Sequence, residues 1–369
     1  MQVPFVDLKK RYLDEKNELI EIFKSTISSG NLIGSNEVSK FEKNISKLLG
    51  LKYCVTLNSG TDALMMAMHA LGIKKGDEVI TTPVSFIATV GAIIHLGAIP
   101  VFVDVDEDLN MNPDLIEKKI SKKTKAIIPV HWSGRMCKMD QIKKIAKKYK
   151  LKLIEDAAQA IGSTYKSTKP GHYSDVATFS AHPLKVLNAL GDGGFLVTNN
   201  KKIYDFLNKY KNHGLVGRDN SEIFGINSRL DSLNAAVLNF RLKKLKNVIA
   251  KRSKNINIYK KNIDPNYFKI IEDSENSINS HTMFIALTER RDELNNFLRS
   301  KGIESLIYYG KALHQHKAFI DKFGKKIFEN SEKMVKNVIS LPFHQYLSKK
   351  EVLYICEMVN SFYKKNKAP

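Results

Sequence analysis

The sequence predicts an α/β fold, a mostly parallel sheet covered by helices on both faces, with a small α+β domain at the C-terminal end. The first observation is a set of short apolar runs: EVITTP (78–83), PVFVDV (100–105), AIIPVH (126–131), KLIEDA (152–157) and VATFS (176–180). They are continuous, not alternating, as expected of strands buried on both faces. The second is that helix-length amphipathic segments (GTDALMMAMHALG, SFIATVGAIIHLG and DQIKKIAKKYK) lie before or between these runs, the pattern of a sheet wrapped by helices. GGFLVTN (193–199) reads as one further strand, antiparallel. The third observation is a change of pattern near residue 231. A long helix follows to about Lys260, with Leu233, Ala236, Val237, Phe240, Leu245 and Ile249 as its apolar positions. After it come a short strand, HTMFIAL, and helices RDELNNFLRSKG and KKEVLYICEMVNSFYKK. The expected division is a large domain over residues 1–248 and a small C-terminal domain over 249–369.

The chain of 369 residues is 43% hydrophobic, enough for a sizeable core. Its net charge of +21 raises the question of nucleic acid. The lysines, however, are spread over many helices and are not interleaved with aromatic residues, so they read as solvated faces and no nucleic-acid partner is expected. A general positive potential still favours anionic metabolites. The N-terminal segment shows no apolar h-region and predicts no signal peptide. The most membrane-like stretch, IATVGAIIHLGAIPVFVDV, is interrupted by His95, Gly97 and Pro100, and reads as helix, turn and strand. Cys54, Cys137 and Cys356 are far apart and odd in number, which suggests free thiols in a reducing, cytoplasmic setting. His314, His316 and His344 have no carboxylate or cysteine at ligand spacing, so no metal is expected.

The chemistry centres on Lys185, in FSAHPLKVLNALGDGG (179–194), and on Asp156, which ends the apolar run in LKLIEDAAQA. A lysine amine forms a Schiff base with an aldehyde cofactor, and a carboxylate keeps a pyridinium nitrogen protonated; pyridoxal phosphate needs both. VTLNSGTDALMMAMHALG (55–72) runs from strand through a small-residue turn into a helix. Gly60 and Thr61 stand at the helix N-terminus, where free amides and the dipole attract anions. The competing reading is a plain N-cap with no ligand. The turn is neither a Walker loop nor a dinucleotide fingerprint. Phe86, at the end of the next strand, is placed to stack on a pyridine ring, or to be ordinary core. Gln159 follows Asp156 by three residues, and Ser180 precedes Lys185 by five; their side chains could reach the ring substituents and the phosphate.

Taken together, these segments resemble the DegT/DnrJ/EryC1/StrS family of pyridoxal-phosphate sugar aminotransferases, in order and over almost the whole chain. VPFVDLKKRY resembles the family's opening, NSGTDAL its phosphate turn, EDAAQA its Asp-x-x-Gln/His segment, and FSAHPLK its lysine segment. GINSRLDSLNAA resembles its Asn-x-Arg segment and LPFHQYLSKKE its closing motif. The resemblance implies a fold type I enzyme acting as a homodimer with shared active sites. It implies Lys185 as the catalytic lysine, Asp156 on the ring nitrogen, and Gly60, Thr61 and Ser180 on the phosphate. Phe86 and Gln159 are implied against the ring. Asn227 would reach the neighbouring subunit's cofactor phosphate with Arg229 close by, and Tyr309 and His314 would lie near the substrate. Val186, Asn234, VHWSG and YYG depart from the family's commoner residues and bear on the sugar, not on the core chemistry. The implied reaction moves an amino group from glutamate to a keto-sugar for glycan, such as lipopolysaccharide O-antigen, or antibiotic biosynthesis. GTDAL, GDGG and NSRLD are similar to members acting on nucleotide-linked 3-keto deoxysugars, whereas His182-Pro183 is widespread among the 4-keto group. The alternatives are a keto-octulosonate without a nucleotide, a sugar dehydratase, in which histidine replaces the lysine, and a catalytically silent regulator on the same fold.

Overall fold

The computed structural model describes residues 1–365. In chain order its main elements are α1 (Leu8–Ser28), α2 (Asn36–Leu49), β1 (Tyr53–Leu57), α3 (Gly60–Ala70), β2 (Glu78–Thr81), α4 (Ile87–His95) and β3 (Ile99–Phe102). There follow β4 (Thr124–Ile127), α5 (Met139–Lys148), β5 (Lys152–Asp156), β6 (Val176–Ser180), β7 (Gly194–Thr198), α6 (Lys201–Tyr210) and α7 (Ser232–Asn262). The C-terminal part holds β8 (Lys269–Ile270), β9 (Ala286–Leu287), α8 (Arg291–Ser300), α9 (Lys317–Phe323), α10 (Glu329–Asn337), β10 (Val338–Ile339) and α11 (Lys349–Lys365).

The large sheet has the strand order β1-β7-β6-β5-β4-β2-β3. Its pairings are parallel except at β7, which runs antiparallel to both β1 and β6, as the sequence suggested for GGFLVTN. Alternate residues of a strand enter opposite cores. Phe195 and Val197 join one apolar cluster with Phe41, Ile45 and Leu238, while Leu196 joins another with Leu64, Met66 and Ile93. Two buried faces explain why the strands read as unbroken apolar runs. Prolines set several boundaries. Pro100 pairs with Val79 in β3, which lies at the sheet edge, where a missing N–H is tolerated. Pro129 follows β4, and pairing resumes only as an isolated bridge between Val130 and Asp156.

Helix α7 is shared by two cores. Its first half supplies Ala235, Leu238 and Leu245 to the cluster under the large sheet. Its second half supplies Tyr259 to a separate cluster with Phe268, Phe284, Leu294, Ile339, Val352 and Val359. A small antiparallel sheet of order β10-β9-β8 lies in this C-terminal part. Val3 also packs there, although it begins the chain. Its amide donates to the Gly302 carbonyl (2.8 Å) and its carbonyl accepts from Glu304 N (3.0 Å).

Candidate active site

Parallel strands present their C-terminal ends along one edge of the sheet, and ligands of open α/β folds bind there. In this chain that edge carries a cavity of about 350 Å³. Its walls include Gly60, Thr61, Phe86, Asp156, Gln159, Ser180, Lys185 and Tyr309, eight of the residues singled out from the sequence.

Part of the cavity wall is the N-terminal turn of a helix. Ser59 is extended (φ −156°) and its hydroxyl accepts from Asp62 N (3.1 Å), which starts α3. The N-cap is therefore real, but it leaves the amides of Gly60 and Thr61 without an acceptor inside the helix. Two glycines permit the close packing around this turn. A Cβ on Gly60 would lie 2.8 Å from Ser180 Cβ, and one on Gly194 would lie 2.2 Å from the Ser59 carbonyl oxygen. The ends of β1 and β6 and the start of β7 are thus drawn together with bare backbone facing the cavity wall.

The same wall holds a titratable pair. Asp156 ends β5 and is almost fully buried, at 5% exposure. Burial raises its pKa. Hydrogen bonds from Thr89 Oγ1 to Oδ2 (2.7 Å) and from Ala158 N to Oδ1 (3.2 Å) oppose that rise, as does the charge of Lys185. Lys185 lies in the turn after β6, which is fixed by Lys185 N donating to the His182 carbonyl (2.8 Å) and Asn188 Nδ2 to the Pro183 carbonyl (2.6 Å). Desolvation lowers the Lys185 pKa to about 8, with Asp156 pulling the other way. Such an amine is partly neutral near neutral pH, as a nucleophile or proton acceptor requires.

Aromatic rings close the mouth. Phe86 is 54% exposed, so it belongs to the cavity rim and not to the core. Its ring lies 6.0 Å from that of Tyr309, which in turn lies 5.3 Å from Trp132. Gln159 is held by its side-chain oxygen, which accepts from Ser133 N (2.7 Å), and by its carbonyl, which accepts from the hydroxyls of Ser280 (2.8 Å) and Thr282 (2.6 Å).

Three of the predicted residues lie outside the cavity of this chain. Asn227 is exposed on the segment before α7, where it bridges to Asn212. Arg229 Nη1 donates to Asn212 Oδ1 (2.9 Å). His314 is absent from the cavity wall: it is 1% exposed, its Nε2 pairs with Glu332 Oε1 (2.9 Å), and its ring packs on Phe102 and Phe328. Those contacts make it part of the packing between Phe102 and Phe328. Glu332, distant in sequence, also supplies the carboxylate partner that spacing alone did not reveal.

The cavity also gathers residues that sequence reading missed: Phe5, Ser85, Thr89, His131 and Tyr308. Thr89 had a usable signal, since it lies three residues after Phe86 in the first turn of α4. Phe5 had none. It reaches the cavity only because the N-terminal segment docks on the C-terminal part of the chain, with Phe5 N donating to Glu304 Oε2 (2.9 Å) and its ring 5.6 Å from that of Tyr308.

A half-buried lysine of lowered pKa, a buried carboxylate held by donors, and a helix N-terminal turn with free amides, all lining one cavity, fit pyridoxal phosphate. Comparison with known proteins agrees. A family model described as the DegT/DnrJ/EryC1/StrS aminotransferase family matches residues 13–360. The chain belongs to this family. It is 35% identical to the pleiotropic regulatory protein of Geobacillus stearothermophilus over 99% of each chain. It is 35% identical to dTDP-3-amino-3,6-dideoxy-alpha-D-galactopyranose transaminase of Aneurinibacillus thermoaerophilus, over 98% of this chain and 99% of that one. Among solved structures, DesV of S. venezuelae superposes with a TM-score of 0.95 at 33% identity, covering 98% of both chains. The protein is therefore a pyridoxal-phosphate-dependent aminotransferase with the fold of that class.

Proposed function

We infer that this aminotransferase moves the amino group of glutamate onto the keto carbon of a sugar, and that the sugar is a nucleotide-linked 3-keto deoxysugar, with the 4-keto isomers as the second choice. The observation that carries the reading is that Lys185, Asp156 and the helix N-terminal turn at Gly60 and Thr61 line one cavity. Similarity to a transaminase named for a 3-amino nucleotide sugar supports the 3-keto assignment, as do the GTDAL, GDGG and NSRLD segments.

In this reading each residue has a defined task. The amides of Gly60 and Thr61 and the Ser180 hydroxyl hold the phosphate. Asp156 faces the ring nitrogen and keeps it protonated. When bound, pyridoxal phosphate supplies the electron sink that acidifies the Cα–H of the amino donor. Lys185 Nζ accepts that proton. In the second half-reaction it delivers a proton to the sugar carbon that has gained nitrogen. Glutamate leaves as 2-oxoglutarate, and the ketone becomes an amine. Phe86 and Tyr309 shield these transfers from water. Lysine at position 185, and not histidine, favours transamination over dehydration, and its presence beside Asp156 favours turnover over a binding-only role.

The proposal includes a homodimer in which Asn227 of one subunit reaches the phosphate in the other's site. The exposure of Asn227 and the full exposure of Phe224 on the same segment support it. Three buried free thiols are in keeping with a reducing cytoplasm. The test is a panel of 3-keto and 4-keto nucleotide sugars and keto-octulosonates, each supplied with glutamate carrying isotopically labelled nitrogen. The expected result is label in the amine of a 3-keto nucleotide sugar. Label in none of the acceptors would remove the keto-sugar assignment.

A further inference from the structure

Asp156 is held from behind by two hydroxyls in series. Thr89 Oγ1 lies 2.7 Å from Asp156 Oδ2, and Ser85 Oγ lies 2.8 Å from Thr89 Oγ1; all three side chains are buried. An ionised carboxylate has no proton to give, so the hydrogen in the first contact is Thr89's. A hydroxyl has only one hydrogen, so in the second contact Ser85 donates to Thr89. The chain therefore points one way, from Ser85 through Thr89 to Asp156, and every donor in it is used. With Ala158 N on Oδ1, each carboxylate oxygen receives a donor from the protein.

Thr89 is suited to this by its place in the fold. It sits in the first turn of α4, whose backbone limits the rotamers of a β-branched side chain. The hydroxyl direction is thus set by the helix, and α4 is fixed against the sheet through Val90, Ala92 and Ile93. We propose that Thr89, backed by Ser85, is a positioning residue that orients the Asp156 carboxylate and keeps it ionised to meet the ring nitrogen of the cofactor. The inference rests on the cofactor assignment above, and deepens it by naming what prepares Asp156 for its task. Other groups act on the same carboxylate. Lys185 favours its charge, the neutral ring of His131 lies nearby with its proton directed at Glu155, and Tyr309 and the Cys137 thiol feel the carboxylate as a neighbouring negative charge. A loss of the Thr89 bond would leave these in place, so the effect of Thr89 is separable.

The experiment uses the full chain with Thr89→Val, which keeps the shape and removes the hydroxyl, Thr89→Ser, which keeps the hydroxyl, and Ser85→Ala. Two quantities are read: the dissociation constant for pyridoxal phosphate, and the pH titration of the bound cofactor's visible absorbance. A hydrogen bond to a charged group is worth about tenfold to a hundredfold in equilibrium. Thr89→Val is therefore expected to weaken cofactor binding by about tenfold or more and to displace the titration midpoint. Ser85→Ala should move both in the same direction by less, and Thr89→Ser should restore both. Thr89→Val with wild-type affinity and titration would overturn the proposal and leave the cofactor assignment intact. A wild-type protein that binds no pyridoxal phosphate would overturn the assignment itself, and this proposal with it.

Discussion

Glu155 and Asp156 are neighbours at the end of β5, both carboxylates and both buried, yet they face opposite sides of the sheet and do different work. Glu155 is saturated. Its Oε2 meets His131 Nε2 (2.8 Å), and its Oε1 accepts from Gly171 N (2.9 Å) and Ser174 Oγ (2.7 Å). Cys137 N donates to His131 Nδ1 (3.3 Å), so the ring proton belongs on Nε2 and points at Glu155. Asp156 receives two donors, from Thr89 and Ala158, and lines the cavity shared with Lys185. The comparison teaches that a buried acid is a candidate for chemistry when its partners leave a face open to a ligand. A buried acid whose partners enclose it serves the fold.

Substitutions can break this contrast. Asp156→Asn is expected to keep the fold while lowering kcat by roughly a hundredfold to a thousandfold, because the ring nitrogen loses the anion that keeps it protonated; steady-state kinetics on the loaded enzyme measures it. Glu155→Gln should do the reverse. It removes hydrogen bonds to a buried charge and should cost about 2–3 kcal/mol of stability, read by denaturant unfolding, with the turnover of the folded fraction close to wild type. Equal losses of activity in the two variants would dissolve the distinction. At the phosphate end, Gly60→Ala drives a Cβ towards Ser180 Cβ. Cofactor affinity is expected to fall by about tenfold as the turn shifts, since a misplaced anion site loses part of its charge-assisted bonding.

The last expectation is a pH dependence. The Lys185 pKa is lowered to about 8, so the neutral amine fraction increases with pH below that value and saturates above it. The rate at which the apoprotein captures pyridoxal phosphate should therefore rise by up to about tenfold per unit towards pH 8 and then level off. A flat profile from pH 6 to 8 would show that Lys185 is not the limiting nucleophile.

Much of this site was legible in sequence for a physical reason. Gly60, Asp156, Ser180 and Lys185 each lie at or just beyond a strand end, and strands buried on both faces announce themselves as apolar runs. Residues whose position depends on long-range docking were not legible. Phe5 reaches the cavity across the Val3–Gly302 and Phe5–Glu304 contacts, which no local pattern encodes. His314 misled for the complementary reason. A histidine in a motif-like segment carries the same letter whether it faces a substrate or, as here, the carboxylate of Glu332. Thr89 lay between, with its helix and its register readable but its partner known only once β5 was beside α4.

The measurement that reaches the centre of the account is covalent trapping of the cofactor. The protein is loaded with pyridoxal phosphate, reduced with borohydride under limiting conditions, digested, and the modified peptide mapped by mass spectrometry. Lysines are abundant and spread over the surface, so chance labelling would be diffuse. One dominant modified peptide, carrying Lys185, is expected, and it should be absent from Lys185→Ala. Modification dominated by another lysine, or a Lys185→Ala protein labelled like wild type, would contradict it.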